Sequence, residues 1–195
     1  MRYIEFFPYP LLAGILGLAA VCLHLWKRGW LYRAGLLLLG LYLMAAINMM
    51  FFPIRVPLDW PANLSWSGTL QQLTHNINLI PGNYAGMLAH LRAGELNPRV
   101  VLVEIAGNVL FTVPFGLGIR ALTRLHGRRL AWLALGTGLV LEGAQLILRL
   151  VVGFDLHSVD VNDVLLNALG VGLGYGIYQA AVWAWQWGKA ALGRA

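Results

Sequence analysis

Five apolar runs, residues 8–26, 31–52, 100–123, 130–152 and 164–187, constrain this chain more than anything else in it. A helix rising about 1.5 Å per residue needs roughly 20 apolar residues to cross about 30 Å of hydrocarbon, and each run meets that length. Composition agrees: 59% of residues are hydrophobic and 11% charged, whereas about a quarter are charged in soluble domains. The reading is an all-α polytopic transmembrane bundle of about five spanning helices, a single domain over residues 1–195. Ala20-Val21-Cys22 is only a loose match to a lipoprotein cleavage box, so the first run is read as a retained helix.

Charge placement gives an orientation. Lys27, Arg28 and Arg33 follow the first run, Arg120, Arg124, Arg128 and Arg129 the third, and Lys189 and Arg194 the fifth, so nine of the 14 basic residues fall on one side. By the positive-inside rule that side is cytoplasmic, with the N-terminus outside and the C-terminus inside. Trp26, Trp30, Trp132, Trp183, Trp185 and Trp187 gather at the same boundary, as an interfacial belt does. The net charge of +6 is thereby explained by membrane orientation, and no nucleic-acid partner is expected. A lone cysteine, Cys22, leaves the outer segments to be ordered by packing.

Residues 53–99 form a connection far longer than the usual handful, and such loops tend to carry function or short elements of their own. Within it, Met87, Leu88 and Leu91 share one helical face, which predicts a short interfacial helix over 84–91, and Trp60 and Trp66 suit the same layer. The segment with Asn76, Asn78 and Pro81 reads as a turn or as a lid over polar groups below.

Those polar groups lie inside the spans. Glu104 and Asn108 are spaced i, i+4; Glu142, Gln145 and Arg149 fall at i, i+3, i+7, as do Asp160, Asp163 and Asn167, so each set occupies one helical face. A charge at the bilayer centre costs at least about 2.5–3.5 kcal/mol on insertion scales, so the three stripes are expected to face one another. Counted from the helix ends, Asn108, Gln145 and Asn167 share a level, Glu104, Arg149, Asp160 and Asp163 lie nearer the outer surface, and Glu142 is deepest, about 15 Å down. The prediction is a polar pocket open to the outside. Asp160 caps the last helix, and the pairs Gly170/Gly174 and Gly172/Gly176 give it small-residue surfaces for close packing.

The stretches Asn78-Leu79-Ile80-Pro81, Gly107 to Gly116, Leu141-Glu142-x-x-Gln145 and Asp160-Val161-Asn162-Asp163-x-x-x-Asn167-x-x-Gly170 together resemble the VanZ-like membrane proteins in order and spacing, over residues 78–175. The resemblance implies a role in the bacterial cell envelope and an association with teicoplanin-type glycopeptide resistance, without implying a particular reaction. Two positions depart from the pattern. Gly82 stands where an aromatic is common, and His157 where an arginine is expected before the aspartates. Arg149 then offers the cationic contact that a mostly neutral His157 would not.

Three functions fit these residues. In the first, the pocket takes the headgroup of a lipid-linked cell-wall precursor or a glycopeptide, with Asn78, Asn108, Gln145, Arg149, His157, Asp160 and Asn167 as ligand-binding residues. If a bond is made or broken there, Glu142, Glu104 or Asp163 serves as general acid or base and Arg149 stabilises negative charge. In the second, the protein is a small-solute or proton-coupled carrier with Glu142 as proton site. In the third, it is a structural or assembly subunit whose polar stripes are interhelical glue. No cysteine-rich or histidine motif has zinc spacing and no glycine loop cradles phosphate, so no metal or cofactor is expected.

Overall fold

The helices form where the apolar runs place them. A computed structural model describes residues 2–5, 7–56, 58, 77–82, 85–152 and 159–192. In chain order these comprise β1 (Arg2–Ile4), α1 (Tyr9–His24), α2 (Trp30–Phe51), β2 (Ile54–Val56), β3 (Ile77–Asn78), α3 (Ala85–Arg92), α4 (Pro98–Leu122), α5 (Arg128–Val152), β4 (Val159–Asp160) and α6 (Val161–Leu192). Among the described residues, α2, α4, α5 and α6 are long and apolar enough to cross a membrane. The first run yields only the 16 residues of α1, about 24 Å at 1.5 Å per residue, so α1 completes the expected five as a short helix. The anticipated surface helix is α3. Trp60, Trp66, His75 and Asn76 lie outside the described residues.

α6 is the hub. It packs most extensively on α4, then on α5, while α2 covers α4 and α1 covers α2. Glycine makes the α4–α6 contact possible. A Cβ added to Gly170 would lie 2.0 Å from the carbonyl oxygen of Val109, one on Gly174 2.0 Å from that of Val113, and one on Gly116 2.1 Å from that of Val171. Paired positions ascend together along both chains, so α4 and α6 run parallel with backbones touching, the arrangement small-xxx-small motifs favour in membranes. Gly172 and Gly176, expected to serve the same purpose, have no atom of the described residues within 4 Å of an added Cβ and lie on a different face. Across the α2–α4 seam the Tyr42 hydroxyl donates to the carbonyl oxygen of Phe111.

The bundle therefore has two unlike ends. At the basic end, Tyr175 donates to the Leu125 carbonyl (2.7 Å), Arg120 Nε donates to Gln179 Oε1 (2.7 Å), and Trp26, Trp30, Trp183, Trp185 and Trp187 are exposed. At the other end, which holds every acidic residue described, two short pairings not anticipated from the sequence tie loops to helices. β1 runs antiparallel to β2, with Tyr3 opposite Arg55. β3 runs parallel to β4, with Asn78 opposite Asp160.

One expectation about depth is corrected. Asp160 and Asp163 are not nearer the surface than Glu142, because Glu142 Oε2 accepts the backbone N–H of Asp160 at 3.2 Å. α6 thus begins level with Glu142, ten residues short of the end of α5, or about 15 Å below it. Counting inward from each helix end assumed that all helices start at one plane, and α6 does not.

Candidate functional site

The site starts with how α4 and α6 are begun. Asn97 caps α4 by accepting from the N–H of Arg99 at 2.9 Å, with Pro98 in the first turn where its missing N–H costs nothing. From that start, Glu104, Asn108 and Phe111 point to one side. Asp160 caps α6 by accepting from the N–H of Asn162 at 2.7 Å, and Asp163 follows in the first turn. Asn108 Nδ2 then donates to Asp163 Oδ1 at 2.6 Å, which registers the polar face of α4 against that of α6.

Beside this bond lies a cavity of about 360 Å³. Its polar wall is Glu104 and Asn108 from α4, Gln145 from α5 and Asp163 from α6; its apolar wall includes Met49 and Met50 from α2, with Val103 and Phe111 from α4. Each of the three stripes read from the sequence contributes at least one side chain. Two carboxylates and two carboxamides, with no cation among the described lining residues, make a surface that favours hydroxyl and ammonium donors over a bare phosphate.

A second, tighter cluster stands behind the cavity. Asp160 is its centre: besides capping α6 it accepts from Asn78 Nδ2 at 2.9 Å, while its own N–H goes to Glu142. Glu142 is 5% exposed and does not line the cavity. Asn78 Oδ1 accepts from the N–H of Ile80 at 3.3 Å, and Asn162 Oδ1 from that of Gly82 at 2.7 Å. Gly82 has φ of 74°, a left-handed conformation that side-chain-bearing residues rarely adopt and glycine takes freely. The segment holding Asn78 is thus docked on the start of α6.

Of the remaining candidates named from the amino-acid pattern, Arg149 and Asn167 are both fully buried, at 0% exposure, and neither lines the cavity. Asn167 sits one turn deeper than Asp163; its backbone carbonyl accepts from Thr112 Oγ1 at 2.7 Å, while its carboxamide has no hydrogen-bond partner among the described residues. His157 lies outside the described residues. The structure adds Thr112, Asn162, Met49 and Met50. Thr112 continues the Glu104–Asn108 spacing by four more residues, a legible signal. Asn162 is two residues from Asp160, about 200° round the helix and off the stripe.

Long apolar helices packed through glycine, with a polar cavity sunk into one end, define a polytopic membrane protein. A family model described as VanZ/LLP1 matches residues 39–183, and the chain belongs to that family. The match runs from α2 into the last part of α6 and contains every residue lining the cavity. Neither a curated protein nor a solved structure gives a match to the chain.

Proposed function

We propose that this protein resides in the cytoplasmic membrane of a bacterium, acidic end outward and basic end inward, and holds the polar head of a lipid-linked envelope molecule in the cavity between α2, α4, α5 and α6. The observation that carries this reading is the two-sided cavity: Glu104, Asn108, Gln145 and Asp163 opposite Met49, Met50, Val103 and Phe111. A soluble polar ligand has no use for the second wall, and a lipid tail has none for the first. The composition of the polar wall favours a head rich in hydroxyl or ammonium groups, such as an amino sugar or an amine-bearing lipid. Glu142, Asp160 and Asn78 support the site by fixing the start of α6, and Glu104 and Asp163 are the carboxylates placed to meet a ligand.

The family extends the proposal to teicoplanin-type resistance, since a protein that engages lipid-linked precursors changes what such an antibiotic meets at the membrane surface. Native mass spectrometry of detergent-purified wild type beside Glu104→Gln and Gln145→Ala tests the binding step. A defined envelope lipid retained by the wild type and lost from variants with unchanged helical content is the expected result. Equal retention by all three proteins, or none by the wild type, overturns it.

A further inference from the structure

A second cavity, about 640 Å³, opens between α2 and α5 with α4 as its floor. Its hollow comes from small side chains, Ala46 on α2 and Gly136, Thr137 and Ala144 on α5, while exposed Ile47 and Val140 form its rim. Along α5 it runs from Ala144 to Trp132, about 18 Å at 1.5 Å per residue. Met50 and Phe111 line this crevice and the polar cavity alike, so the two are neighbours with these side chains as their common wall. Ala144, at the top of the crevice, immediately precedes Gln145 of the polar wall.

We infer that the crevice holds a hydrocarbon chain of the same amphiphile whose head occupies the polar cavity. The inference rests on the proposed headgroup site. Adjacency is the argument: a chain leaving a head seated against Glu104 and Asp163 has only to pass Met50 and Phe111 to meet an apolar channel that runs along α5. Lipid tails surround the whole bundle, so apolarity alone selects nothing there. A recessed channel sharing two walls with a polar cavity selects a molecule carrying both parts, because packing is what drives association inside a bilayer.

The test uses the full-length protein in nanodiscs with a phosphatidylethanolamine bearing a chain-terminal diazirine, photolysed and mapped by peptide mass spectrometry. Gly136→Leu fills the crevice where an added Cβ meets nothing within 4 Å, and Ala144→Leu is a second filling variant. Gly172→Leu adds the same bulk in the groove between α5 and α6, where an added Cβ also meets nothing. Adducts on α2 and α5 that fall about tenfold in both filling variants, and also in Glu104→Gln, but not in Gly172→Leu, are expected; tenfold corresponds to about 1.4 kcal/mol of lost packing. Adducts unchanged by filling, or lost on filling yet indifferent to Glu104→Gln, overturn the inference, the latter marking the crevice as filled by bulk lipid. Lipid retention in the mass-spectrometry comparison of Glu104→Gln with wild type judges the headgroup reading separately, so either can fail alone.

Discussion

Replacing Gly170 with alanine is the most informative perturbation of this fold. The new Cβ would stand 2.0 Å from the Val109 carbonyl oxygen, whereas a C···O contact settles no closer than about 3.3 Å. α6 must therefore recede from α4 by about 1.3 Å. Thr112 Oγ1, now 2.7 Å from the Asn167 carbonyl, would be carried to about 4 Å, beyond hydrogen-bonding reach. Overpacking of this kind costs about 1–3 kcal/mol, and an interhelical hydrogen bond lost in a membrane adds about 0.6 kcal/mol. Against this, alanine is worth up to about 1 kcal/mol over glycine in helix propensity. Gly172→Ala carries the same propensity gain with nothing near its Cβ, so the difference between the two variants isolates the contact at about 1.5–3.5 kcal/mol. Unfolding in mixed dodecylmaltoside and SDS micelles, followed by circular dichroism, measures it. If Gly170→Ala and Gly172→Ala unfold at the same SDS fraction, the backbone contact between α4 and α6 is not what holds the bundle.

Other expectations follow from single bonds. Thr112→Val keeps the side-chain shape and removes the donor to Asn167, so it should lose about 0.6 kcal/mol in the same titration, and a larger effect than that of Gly170→Ala would contradict the ranking. Glu142→Gln retains an acceptor for the Asp160 N–H, whereas Glu142→Leu leaves that half-buried group unpaired at a cost of up to about 1–3 kcal/mol; thermal melts in detergent should order them wild type, Gln, Leu. Asn78→Ala removes the bond to Asp160 and the acceptor for Ile80, so amide exchange over residues 77–82 should quicken while α4 and α5 stay protected. Gly82→Ala forces a left-handed φ on a residue with a Cβ and should cost about 1–2 kcal/mol, read as a lower melting temperature.

Much of this molecule was legible in its residues. The spans follow from apolar length, and the facing stripes follow from the expense of a charge in hydrocarbon. Glu104, Asn108, Gln145 and Asp163 meet at one cavity because i, i+3 and i+4 spacing holds wherever a helix is regular. Depth was not legible. Where α6 starts is decided by Asp160 capping it and bonding to Glu142 across the bundle, and hydropathy carries no record of that contact. Nor do the two glycine pairs of α6 differ in pattern: Gly170 and Gly174 meet α4, while Gly172 and Gly176 lie about 200° round the helix from them, where an added Cβ has no atom of the described residues within 4 Å. Arg149 looked like the cation for a ligand from its place on the stripe, yet it is enclosed by the protein.

The recessed start of α6 has an electrostatic consequence. A helix carries about half a positive charge at its N-terminus, and here that pole lies level with Glu142, where water screens it less than at a bundle surface. Asp160, Asp163 and Glu142 are gathered around it, so the acidic cluster is partly balanced by backbone. A peptide pole cannot be released, titrated or swung away as a side chain can. The acidic end of α6 thus keeps a fixed counterweight whatever enters the cavity, and an arriving ammonium group meets the carboxylates' field reduced by about half a unit charge.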